Sequence, residues 1–279
     1  MTRMETPGVW GPDDQLGTLN LLADEAVQRA AAENSNIGKR VSLKFPLKPL
    51  ELRLINKAPL KHAHDDELYY MGCTAEDFAS SPIPNGIQRI FQKGIAGRAV
   101  LIDWYSWAQA HNIPIDATSA HEISFNELLT TLEYQGLDPT STFRRGDILV
   151  LRLGYIAQYT EMSDSKREAL DEIYQTHKPS NIGVKPSEEL IRFLWDKGIA
   201  AVCGDSRSFE VWHCRPEDEE WHLHEWLLAG WGMPIGELFH LEEVARVCRE
   251  LGRYTFFLAS EPVNVPGAVA SPPNALVLF

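Results

Sequence analysis

Three short apolar runs constrain this chain most: GRAVLIDW at 97–104, ILVLRLG at 148–154 and IAAVCGD at 199–205. A continuous apolar run of this length, bounded by turn formers and rich in β-branched residues, reads as a buried strand rather than a helix. Between and around these runs the pattern turns helical. Helices are expected over 23–33 with Asp24 or a neighbour as its cap, over 75–79 and 83–93, and within 121–136. The last of these has Ser124 three residues before Glu127 as a capping box. Charged, exposed helices are expected over 163–174 and over 187–197, the second capped by Ser187 and stopped by Gly198. A further helix is expected over 241–251. The alternation Val41, Leu43, Phe45, Leu47 marks a strand over 40–47, placed at an edge by Pro46 and Pro49. Another strand is expected over 254–260. Buried strands alternating with helices predict one α/β domain with a substantial sheet.

Length and composition agree. The chain has 279 residues, 44% hydrophobic and 23% charged, which suits one large α/β domain. A net charge of −13 argues against nucleic acid and against an anionic membrane surface as partners. No stretch approaches the roughly 18 apolar residues of a membrane span, and the start MTRMETPGVWGPDDQ has no apolar signal region. Four widely spaced cysteines (Cys73, Cys203, Cys214, Cys248) read as reduced thiols. A cytoplasmic protein is therefore expected. Cys214 lies among glutamates that would raise its pKa, so it is a poor nucleophile. No G-x-G-x-x-G, G-K-[ST] or G-x-S-x-G motif is present, which removes nucleotide loops and the serine-hydrolase elbow.

Chemistry concentrates at 204–237, GDSRSFEVWHCRPEDEEWHLHEWLLAGWGMPIGE, which holds His213, His222, His224 and four tryptophans. His224 heads a short apolar helix stopped by Gly230-Trp231-Gly232, after which the chain returns to Glu237. An imidazole and a carboxylate brought together suit a borderline divalent metal. The alternative is a core histidine bonded to backbone and a glutamate that caps the next helix. His222 stands two positions from His224 and would face away from it on a helix, so at most one of them is expected as a ligand. Trp212, Trp221, Trp226 and Trp231 are candidate walls for an aryl substrate, or ordinary core. Upstream, the H-x-H-D-D run offers His62 and His64 on one face of an extended chain, with Asp65 as a further oxygen donor. Asp103, Asp147 and Asp205 stand at strand ends; capping a loop is the expected role of the first two, and Asp205 is left open.

Six segments in order, WGPDDQLGTLNLL, GRAVLIDWYSW, FRRGDILVLRLGY, GIAAVCGDSRSFEVW, HEWLLAGWGMPIGELFHLEEVA and VPGAVASPPNALVLF, resemble the cyclase family, which includes the kynurenine formamidases. The resemblance covers nearly the whole chain. It implies a swivelling β/β/α fold with a mixed sheet and a homodimer or homotetramer. It also implies metal-dependent hydrolysis of a small aromatic amide, in the type case N-formyl-kynurenine in tryptophan catabolism. His224 and Glu237 fall on positions the family uses as metal ligands, for zinc or manganese. Relatives carry a further histidine- and aspartate-bearing metal loop after the early strand. Here HAHDDEL runs directly into YYMGCTAEDF, so no catalytic histidine is assigned, and His62, His64 and Asp65 are the local substitutes. The alternative reading is a paralogue that keeps the fold and acts as a binding or regulatory partner.

Overall fold

The computed structural model describes residues 10–11, 14–44, 70, 74, 76, 87–176, 178–264 and 270–279. The strands are β1 (Arg40–Ser42), β2 (Ile95–Ile102), β3 (Glu122–Ile123), β4 (Ile148–Leu151), β5 (Gly183–Val184), β6 (Ala201–Gly204), β7 (Ile235–Gly236), β8 (Thr255–Ser260) and β9 (Ala275–Leu278). The main sheet has the order β1-β9-β8-β2-β4-β6-β7, and β3 and β5 form a separate parallel pair. From β2 towards β1 every pairing is antiparallel; from β2 towards β7 every pairing is parallel. The sheet is thus mixed, and the architecture is α/β, as the sequence led one to expect.

The three apolar runs become the adjacent strands β2, β4 and β6, covered on both faces. Because side chains alternate across a strand, Ala99, Leu101, Ile148, Val150, Ala201 and Cys203 pack on one face with Val244, Ala245, Val247 and Cys248 of the helix Glu242–Leu251. Val100, Ile102, Leu149, Leu151 and Val202 pack on the other with Leu190, Ile191 and Leu194 of the helix Glu188–Asp196. Full burial of such a side chain contributes roughly 1.5–3 kcal/mol.

Several local expectations are met. Ser124 and Glu127 form the reciprocal capping box of the helix Phe125–Tyr134. Ser187 accepts from the Leu190 amide, and Gly198 takes the left-handed conformation that ends the helix. Among the described side chains of the helix Asp164–Tyr174 none is buried, as its charge pattern indicates.

Others need correcting. The helix Glu188–Asp196 is not simply exposed: three apolar positions at helical spacing face the core. Asp24 is the first residue of the helix Asp24–Asn34 rather than its cap. Ala23 holds the cap position without a side-chain bond, so Asp24 acts through its charge at the positive helix end. The early strand, β1, is an edge strand that ends at Ser42, although Leu43 still donates to the Ala275 carbonyl at 3.0 Å; residues 45–47 of the expected strand lie outside the described residues. Two helices after strands, Trp104–Ala110 and Tyr155–Glu161, and the last strand β9 had no counterpart in the sequence reading. No helix among the described residues is long and apolar enough to cross a membrane.

The strand-end acids hold loops. Asp103 caps the helix Trp104–Ala110 at the Ser106 amide and pairs with Arg152 at 2.7 Å and Arg249 at 2.9 Å. Arg152 also pairs with Glu242 at 2.5 Å, which ties the end of β4 to the helix Glu242–Leu251. Asp147 pairs with Arg98 and accepts from the Arg144 amide at 2.8 Å. Asp205 accepts from the amides of Leu153 at 2.6 Å and Gly154 at 2.8 Å. Burial pushes the carboxyls of Asp147 and Asp205 up to about 6.

Candidate active site

The site forms beyond the C-terminal end of β6, where ligand sites gather in sheets with parallel strands. The chain leaves β6 at Gly204 and runs through Asp205, Ser206 and Ser208, all buried. Asn181 fixes this segment, donating to Ser206 Oγ at 3.2 Å and Ser208 Oγ at 2.9 Å. Phe209 then adopts a φ of 51°. That left-handed conformation costs an L-residue about 1–2 kcal/mol. The turn seats Glu210 against β5: the Val184 amide donates to the Phe209 carbonyl at 3.1 Å and the Val211 amide to the Val184 carbonyl at 3.0 Å. The two backbones lie so close that a Cβ on Gly183 would stand 2.1 Å from the Glu210 carbonyl carbon. Glycine is required there for space.

Glu210 is 1% exposed. Its carboxylate accepts from the Leu223 amide, from the His224 amide at 3.2 Å and from His224 Nδ1. His222 Nε2 stands 3.5 Å from the same carboxylate. His224 precedes the π-helical turn Glu225–Gly230, closed by a bond from the Trp231 amide to the Trp226 carbonyl at 3.1 Å. Such turns are frequent at functional sites. The return through β7 brings in Glu237. Leu238, with a φ of 58°, donates to the Ser206 carbonyl at 3.0 Å, and the Phe239 amide donates to the Gly204 carbonyl at 3.1 Å. His224 Nε2 lies 3.3 Å from Glu237 Oε1.

The imidazole therefore stands between two carboxylates, one on each ring nitrogen. Burial alone would lower the His224 pKa, but Glu210 and then Glu237 outweigh it and push it up to about 9. In turn burial would raise Glu210, and its contacts with His224 hold it below the usual carboxylate value. His222 is pulled down by burial, partly offset by Glu210. Cys214 is raised to about 12, first by burial and then by Glu210 and other acids around it, so it stays a thiol.

Two donors 3.3 Å apart also fit a divalent ion. Bonds of about 2.0–2.1 Å meeting at a tetrahedral angle separate two ligand atoms by about 3.4 Å. The donor types, one imidazole and one carboxylate, suit zinc or manganese. Among the described residues no group of three or more His, Cys, Asp or Glu comes together as a complete set. His62, His64 and Asp65, the other residues singled out as metal donors, lie outside the described residues.

The structure thus unites His224 and Glu237, and Glu237 does not cap the helix Glu242–Leu251, whose cap position is Leu241. The expectation that His222 and His224 face apart fails, because His222 is not helical (ψ 116°) and both rings approach Glu210. Of the tryptophans, Trp226 and Trp231 are buried in the core. Trp231 packs against Trp195 and Trp226, with ring centroids 5.0 and 6.1 Å away. Trp221 is half-buried and stacks on Trp226 at 5.8 Å. Trp212 is half-buried, its Nε1 donating to the Lys178 carbonyl at 3.3 Å beneath the Lys178 ammonium. Glu210 is the site residue that sequence reasoning missed. Its signal was an acid enclosed by Phe209, Val211 and Trp212, since a charge in an apolar run is expected to be buried with a partner.

No family model and no curated protein match the sequence. Solved structures do match. A crystal structure described as a novel cyclase is 24% identical, with 98% of each chain covered and a TM-score of 0.73. Isatin hydrolase A from Labrenzia aggregata, bound to benzyl benzoate, is 13% identical, with 91% of this chain and 97% of that chain covered and a TM-score of 0.51. The resemblance read from the sequence thus has its counterpart in three dimensions, and the chain has the cyclase fold.

Proposed function

We propose that this protein is a metal-dependent hydrolase of a small aromatic amide, arylformamidase-like, with N-formyl-kynurenine as the first substrate to try. The observation that carries the reading is the pair His224 Nε2 and Glu237 Oε1, 3.3 Å apart at the C-terminal end of the parallel strands. The cyclase fold supports it, as does the hydrolase named among the proteins of similar fold. His224 and Glu237 would hold a divalent ion, zinc or manganese, with His62, His64 and Asp65 as the proposed remainder of the donor set. When bound, such an ion supplies Lewis acidity at an amide carbonyl and lowers the pKa of water towards about 7. The half-buried rings of Trp212 and Trp221 are the proposed aryl-contacting surface. The buried Trp226 stacks behind Trp221, and Trp231 packs against Trp226 in turn. A homodimer or homotetramer is proposed for the assembly.

A second reading is favoured by the two-donor set found among the described residues. In it the chain keeps the fold and serves as a binding or regulatory partner. Elemental analysis of the purified protein, beside His224→Ala and His62→Ala/His64→Ala variants, separates the two. The hydrolase reading expects near-stoichiometric zinc or manganese in the parent, lost in both variants, and release of formate from N-formyl-kynurenine. A folded parent with neither metal nor turnover overturns it in favour of the second.

A further inference from the structure

We infer that Glu210 is the positioning residue of this site: its buried carboxylate holds Nδ1–H of His224 and thereby turns Nε2 towards Glu237. The inference rests on the metal-site reading above and adds the group that orients one of its donors. An imidazole can bind an ion through only one nitrogen at a time, and which one is set by the hydrogen bond the other makes. Here the Nδ1 side is taken by Glu210 and the Nε2 side opens on Glu237.

A plain capping role explains less. Glu210 does accept from the Leu223 and His224 amides, and a helix start needs such an acceptor. Capping alone is met by Ser, Thr, Asn or a short Asp on the same turn. This carboxylate instead comes from 13 and 14 residues upstream and is 1% exposed, which is costly for an ion unless it is paired. The pairing partner is the ring itself. The strained Phe209, the glycine required at Gly183 and the bridge to Val184 hold the Glu210 backbone in place, so the carboxylate reaches the ring from a fixed support. All three of its acceptor contacts fall on the 223–224 segment. One carboxylate therefore sets both the backbone and the side chain of His224.

The test is zinc affinity of the full-length protein, measured by competition with a chelator, for the parent, Glu210→Gln, His224→Ala and the double variant. An amide has one acceptor oxygen and a donor group where the second oxygen stood, so a Gln that keeps its oxygen on the ring and the His224 amide turns an NH2 on the Leu223 amide, and it no longer offers the ring a negative charge. Glu210→Gln is expected to weaken zinc binding about 10- to 100-fold. Because His224→Ala itself is expected to lose the ion, the coupling is read by thermal unfolding: the same change is expected to lower the melting temperature less in the His224→Ala background, which lacks the ring contact, than in the parent. A carboxylate that only caps would lower thermal stability without this coupling. Where Glu210→Gln does not fold, Glu210→Asp carries the test: it keeps the charge, shortens the reach by one methylene, and is expected to weaken zinc binding in the parent and to cost less thermal stability in His224→Ala than in the parent. Folded variants that bind zinc as the parent does overturn the role of Glu210 alone. A parent that binds no zinc overturns the metal-site reading and this inference with it.

Discussion

At the scale of single residues, Asp205 shows how burial becomes pH dependence. Its folded pKa is about 6, against 3.8 ordinarily, because burial opposes the charged form more than the two amides favour it. Between these values the folded chain holds a proton that the unfolded chain releases, so stability falls as pH rises through the window. The full effect above pH 6 is about 3 kcal/mol, at about 1.4 kcal/mol per unit. Asp205→Asn removes the titration and adds a constant loss, because one backbone donor then faces an amide NH2. Urea unfolding at pH 7.5 and pH 5 is expected to show the parent gaining about 1–2 kcal/mol on Asp205→Asn at the lower pH. A constant difference between the two pH values would refute this. The same residues show what a sequence reveals. The pair His224 and Glu237 was legible through the family resemblance, since their spacing alone equally allows a core histidine and a capping glutamate. Glu210 was only half legible: its apolar neighbours mark a buried acid, but its partners come from 13 and 14 positions away and no local pattern names them. Nor could spacing alone orient His222, since the helical geometry assumed for it is absent.

At the scale of elements, the short pair β3 and β5 matters beyond its size, because β5 is the rail along which Glu210 is laid. Gly183→Ala would drive its Cβ to 2.1–2.3 Å from the backbone of Glu210 and Val211, neither of which can rotate away. A loss of about 3 kcal/mol is expected, at the upper end of ordinary overpacking. It should appear as a lower urea midpoint with an unchanged m-value. A midpoint equal to the parent's would show that the segment can part without cost. The strands β2, β4 and β6 were legible because continuous apolar runs have few other fates. The helix Trp104–Ala110 was hidden because it begins directly at the end of a strand, without a polar stretch between them. The amphipathic helix Glu188–Asp196 looked exposed because its charges outnumber the three residues that face the core.

At the scale of the whole molecule, the two halves of the sheet divide the labour. The parallel half ends in the loops that build the site; the antiparallel half closes the fold. In that closure the first strand of the sheet pairs with the last: Arg40 is opposite Leu278 and Ser42 opposite Leu276. Phe279 is fully buried against Phe256 and donates its amide to the Lys39 carbonyl at 2.9 Å. A polypeptide made from its amino end must therefore keep β1 waiting until more than two hundred further residues have been joined. Until β9 is made, β1 lacks the one strand it pairs with among the described residues, β8 once made has an open edge, and both offer themselves to neighbouring chains. A stop placed before Ala275 is expected to leave that state permanent: the shortened chain should collect in the insoluble fraction while the parent stays in solution. Equal solubility of the two would show that the sheet closes without its final strand. The safety of the growing chain, and not only the shape of the folded one, thus waits on β9.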